Sequence, residues 1–203
     1  MTREWFIMKD YSDKVADDTR NRVSAWTDEF EASQEYSGLS AEQKEESSFA
    51  IGVFADLMYG YHLETPEEWS EGALRDCCLA LLPRKVLAGP ELYGAVEPVL
   101  TAFFAFLRRT GRINNAAELT SELKEVAGTM IEDAEDPESW GWAKALFTQA
   151  VEDGIDVADE GAIQKYLQEL NEQTGSRVGS KAGSSGRPSS NKRKQTSKRK
   201  RVR

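Results

Sequence analysis

Residues 99–107 read VLTAFFAFL. Eight of these nine positions are apolar, and Thr101 is the one polar exception. A helix written this way has almost no solvated side, so it must be surrounded by other elements. The stretch is therefore predicted to be the central helix of the fold, with Phe104 fully buried inside it. Forward, the helical pattern runs through Arg109 and is stopped by Gly111. Backward, it reaches about Glu91 with Pro98 inside, so the helix either kinks at Pro98 or restarts with Pro98 in its first turn.

The flanking sequence supplies the helices that would surround it. Downstream, "NAAE" at 115–118 opens a helix with Leu119, Leu123, Val126 and Met130 inward, and "DPES" at 136–139 opens another that Gly154 terminates. Asp159 caps a last helix through Leu167 and Leu170. Upstream, Val15, Arg22, Val23, Trp26 and Phe30 share one face of a segment from about Ser12 to Ser33. "SAEQ" at 40–43 has capping-box spacing and opens a helix with Ile51, Phe54, Leu57, Met58 and Tyr61 in its core face. "TPEEW" at 65–69 places Thr65 as N-cap, Pro66 at N1 and Glu68 at N3 of a helix that Pro83 should stop. No run alternates with period two for long enough to make a strand. The body is read as all-α, a single domain of about six to seven helices over 1–172, with 1–38 as an N-terminal helix that can pack separately.

Composition changes sharply after that body. From Gly175 to the end there are 11 of the chain's 26 basic residues and none of its 35 acidic ones, so a tail at +11 follows a body at -20 in a chain of net charge -9. The tail is rich in Gly and Ser, and Val178 and Val202 are its only aliphatic residues larger than Ala. Such a segment buries too little apolar area to offset its ordering entropy, so 173–203 is predicted to be disordered. Its last thirteen residues, NKRKQTSKRKRVR at 191–203, carry eight cations: Lys192, Arg193, Lys194, Lys198, Arg199, Lys200, Arg201 and Arg203.

Signatures of catalysis are thin. The chain has one histidine, His62, and its two cysteines, Cys77 and Cys78, are adjacent, which suits neither a zinc site nor a disulfide between them. His62 is read as a capping or surface residue and the cysteines as small core residues. There is no glycine-rich phosphate loop. The acidic runs "DDTRNR", "EQKEE" and "EDAEDPE" lack the ligand spacing of a calcium loop and read as solvated helix faces. No enzyme activity, metal or cofactor is expected. No stretch of about 18 apolar residues suggests a membrane span, and no apolar run behind a basic region suggests a secretory leader. The expected setting is reducing and cytoplasmic, or nuclear in a nucleated cell.

Two segments of the body are more distinctive. "LLPRKV" at 81–86 sets Arg84 and Lys85 directly after a helix end, where they either complement the helix dipole or contact an anion or partner. "WGWAK" at 140–144 has two tryptophans on opposite sides of Gly141, a residue that permits close approach of a neighbouring helix. Either Trp140 is core and Trp142 a lid at its edge, or an exposed Trp marks a contact surface. The candidate partner contacts are therefore Arg84, Lys85 and Trp142. Taken with "VEPVLTAFFAFLRRTGRINNAAEL" and "WGWAKALFTQAVEDGID", "LLPRKVLAG" resembles a prokaryotic helical domain of no established activity that often precedes a SEC-C zinc motif. The resemblance covers roughly residues 69–170 and implies a helical body. The Cys-rich ending of that motif is absent and the basic tail stands in its place, so no zinc function is implied.

These features lead to one functional expectation and one alternative. The first is a non-enzymatic helical adaptor tethered to nucleic acid, or to another acidic polymer, through the eight tail cations. Such contact neutralises phosphates and reads no base sequence, and the tail has no aromatic side chain for base stacking. The alternative is a protein–protein interaction scaffold or regulator whose tail only targets or solubilises it. A tail folded back on the acidic body is a further possibility.

Overall fold

The computed structural model describes residues 10–157, 159 and 161–169. These residues divide into two units, one ending at Glu152 and the other beginning at Asp153. Every regular element among them is helical. In the first unit they are α1 (Asp13–Glu31), α2 (Gln34–Ser37), α3 (Ala41–His62), α4 (Glu71–Asp76), α5 (Leu82–Lys85), α6 (Pro90–Arg109), α7 (Ala116–Glu135) and α8 (Trp142–Glu152). The expected all-α class is what the chain adopts.

The VLTAFFAFL stretch forms the second half of α6, which lies between α3 and α7 at the centre of the unit. Val99, Leu100, Phe103, Phe104, Phe106 and Leu107 are buried. The helix is not enclosed on all sides, however: Ala105 and Arg108 are exposed and Thr101 is half-buried along one strip. Small side chains there leave an open face that the apolar composition concealed. Phe104 meets Phe54 and Trp69 edge-on, with centroids 5.9 Å and 6.0 Å away. Phe103 and Phe106 pack against Phe30 of α1 at 5.4 Å and 5.7 Å. Pro98 neither ends nor restarts α6, which continues through it.

Local signals were accurate at several caps and misleading at others. Ser40 and Gln43 form the reciprocal capping box that opens α3. Ile51, Phe54, Leu57 and Met58 are buried as expected, but Tyr61 is exposed and Tyr59 is buried in its stead, its hydroxyl bonded to the backbone of Ser12. In α1 the buried face is Ala16, Thr19, Val23, Thr27 and Phe30. Val15 points to solvent, because small Ala16 and Thr19 are the residues set against α3.

Thr65 and Glu68 do bond each other, with the Thr65 N–H and hydroxyl both donating to the Glu68 carboxylate, but they close only a 3-10 turn at Pro66–Glu68. The helix proper starts after Ser70, whose side chain caps Ala73. It does not stop at Pro83 either. Residues Cys77–Leu81 form a widened π-turn in which the Leu82 N–H reaches back to the Cys77 carbonyl. Pro83 then sits in the first turn of α5, directly after the widened turn, the part of a helix where proline is best tolerated. The π-turn places Cys77 and Cys78 side by side in the core as free thiols. Burial pushes the Cys77 thiol well up and the Cys78 thiol up to about 12.

In α7, Leu119, Leu123, Val126 and Met130 are inward as expected. Asn115 caps through position alone: its side chain donates instead to the Trp69 carbonyl at 2.7 Å, tying α7's start to the segment before α4. "DPES" opens only a 3-10 turn, with Asp136 accepting from the Glu138 N–H, and α8 begins at Trp142. In the second unit Gly154 has φ +78°. Asp159 accepts from the Gly161 and Ala162 amides to cap a helix at 161–169, and Tyr166 donates to Asp153 at 2.6 Å. Leu170 lies outside the described residues, as does the tail.

Candidate functional site

The two segments singled out in the sequence, 81–86 and 140–144, come together. The Gly141 N–H donates to the Arg84 carbonyl at 3.0 Å. A Cβ on Gly141 would lie 2.6 Å from that same oxygen, so only glycine permits this approach. The start of α8 is thereby pinned against the end of α5.

A lysine that sequence reading passed over holds the junction. Lys144, one turn into α8, is 4% exposed. Its ammonium donates to the Pro83 carbonyl at 2.8 Å, the Tyr93 hydroxyl at 3.1 Å and the Ala134 carbonyl at 3.4 Å. It also lies about over the rings of Tyr93 and Trp140, at 5.0 Å and 4.9 Å from their centroids. None of these partners is a carboxylate. What balances the charge is backbone: Pro83 and Ala134 lie in the last turns of α5 and α7, where helix dipoles present partial negative charge. Burial pushes the Lys144 amine below its ordinary value. Around it, Tyr93 donates to the Val86 carbonyl at 2.6 Å, and the Trp140 indole donates to Ala134 at 2.8 Å. Burial pushes the Tyr93 phenol up to about 12. Every polar group named here is engaged, so this cluster is a clamp on three helix ends. It offers no free nucleophile or base.

The clamp supports a cleft of about 660 Å³, lined by Tyr61, Asp76, Leu81, Arg84, Lys85 and Trp142 among others. Trp142, 76% exposed, and Tyr61, 53% exposed, both line it. The Lys85 ammonium lies 4.8 Å from the Tyr61 ring centroid. The carboxylate of the cleft, Asp76, is 3.2 Å from His62 Nε2 at the end of α3. Arg84, Lys85 and Trp142 thus line one cleft, with Trp142 exposed to solvent. Trp140 is half-buried and precedes α8. Tyr61 belongs to the site although its sequence pattern assigned it to the core.

Other features of the described residues carry less. No group of three or more His, Cys, Asp or Glu there is arranged to hold a metal. No helix there is long and apolar enough to cross a membrane. A groove between α1 and α3 exposes Phe49 between Asp28, Glu45 and Asp56. The tail cations Lys192, Arg193, Lys194, Lys198, Arg199, Lys200, Arg201 and Arg203 lie outside the described residues. No protein-family model matches the chain, and no curated protein or solved structure matches it.

Proposed function

We propose that the chain is a non-enzymatic helical adaptor that attaches to nucleic acid through its basic C-terminal segment and offers its helical body to a protein partner. The observation that carries this reading is the segregation of charge: eight cations in thirteen residues, with no acid from Gly175 onward, on a body at -20. A body that acidic repels a polyanion, so nucleic acid is met by the tail alone. The attachment is indifferent to base sequence, since cations neutralise phosphates without reading base edges. Cytoplasmic residence, or nuclear residence where there is a nucleus, accompanies this role.

The test is electrophoretic mobility shift of duplex DNA and structured RNA by the full chain and by its Lys198, Arg199, Lys200 and Arg201→Ala variant. Binding should weaken equally for every nucleic-acid sequence tried. Retention of full affinity by the variant would assign the contact elsewhere and overturn the reading.

A further inference from the structure

We infer that the cleft between α5 and α8 docks an acidic segment of a partner protein, anchored by an aromatic or large aliphatic side chain packed on Trp142. The inference rests on the reading of the body as an interaction domain and names the chemistry of its partner.

Three observations lead to it. Trp142 is 76% exposed at a helix start joined to α5 by the Gly141–Arg84 hydrogen bond and by buried Lys144. Burying an ammonium without a carboxylate is unfavourable unless other groups compensate it, and here two carbonyls, a phenol and two rings do so at this junction. What the junction presents is an exposed tryptophan. Second, Tyr61 and Trp142 face a shared cleft of about 660 Å³, and Trp, Tyr and Arg are the residue types that dominate binding energy at interfaces. Third, two cations, Arg84 and Lys85, line that cleft against one carboxylate, Asp76. A locally cationic cleft on a body at -20 selects a segment bearing acidic residues beside its anchor. Nucleic acid stacking on Trp142 is the other chemistry an aromatic and cationic surface admits, but its backbone would have to approach the acidic body.

Selection of displayed random peptides on the full-length protein tests this. Enriched peptides should place Asp or Glu around a Phe, Tyr, Trp or Leu. Synthetic copies should bind about tenfold or more weakly to Trp142→Ala and also more weakly to the Arg84→Glu, Lys85→Glu double variant. They should bind normally to Phe49→Ala and to the tail variant with Ala at 198–201. Circular dichroism confirms that each variant is folded, and Trp142→Ala should be, since so exposed a side chain supports little packing. Three results would overturn the inference: no enrichment, enriched peptides that are acidic without an anchor and insensitive to Trp142→Ala, or single-stranded oligonucleotides whose binding depends on Trp142. The second result identifies tail binders and the third a nucleic-acid surface. The tail variant's own mobility shift reports separately on the proposed tether.

Discussion

At the scale of single residues, Lys144 and Glu35 show how charge is managed in this fold. Lys144 is satisfied by two helix-end carbonyls, a phenol and two aromatic faces. Its burial gives a direct check: in the native protein an amine-reactive label read by mass spectrometry should modify exposed Lys85 and leave Lys144 unmodified until the chain unfolds. Labelling of Lys144 at the rate of Lys85 would show that the clamp is open. Glu35 is the opposite case, a carboxylate near the surface. Arg109 grips it with two bonds, at 2.6 Å and 3.1 Å, and these bonds hold its pKa down to about 2 from an ordinary 4.5. A carboxyl depressed in the folded state adds stability that is complete above its unfolded pKa and is lost as pH falls through its folded one. The wild type should therefore exceed Arg109→Gln in urea resistance at pH 6, and the gap should close as pH falls from 4.5 toward 2. A gap independent of pH would mean that the arginine acts through its packing on Phe106 and not through charge.

At the scale of elements, α6 and the α5–α8 junction bear most of the account. Phe104→Ala should cost about 3–5 kcal/mol, because removing a fully buried aromatic in contact with Phe54 and Trp69 leaves a cavity. Gly141→Ala should cost about 1–3 kcal/mol by driving a methyl against the Arg84 carbonyl. Thermal unfolding checks both, and an unchanged midpoint in either would refute the corresponding packing. These elements also show what was legible in sequence. The central helix, the α3 capping box and the inward face of α7 were readable because apolar period and cap chemistry are local. Pro83 and "DPES" misled because a π-turn and a 3-10 turn resolve locally what the pattern rules treat as stops and starts. Tyr61 and Lys144 were not legible. A helical period says which residues share a face, but not that one face ends over a cleft or that two remote helix ends will converge on an amine. Arg84, Lys85 and Trp142 were found by their oddity, and only the fold shows that they share one cleft.

At the scale of the whole molecule, the account is a division of labour set by charge. In the proposed reading the acidic body repels polyanions, and residues 191–203, with eight cations and no acid, are the segment that meets them. Intact protein should therefore bind nucleic acid more weakly than an isolated 191–203 peptide, a difference that shrinks as salt screens the body. The most direct test of the central claim is the salt dependence of duplex binding by the intact chain. If the tail engages about 5–8 phosphates, the slope of log K against log salt should be about -4 to -7. Replacing Lys198, Arg199, Lys200 and Arg201 with Ala should flatten it by about 3–4 units, alike for every sequence. The same slope after loss of residues 175–203 would contradict the account, because the nucleic-acid site would then lie on the body.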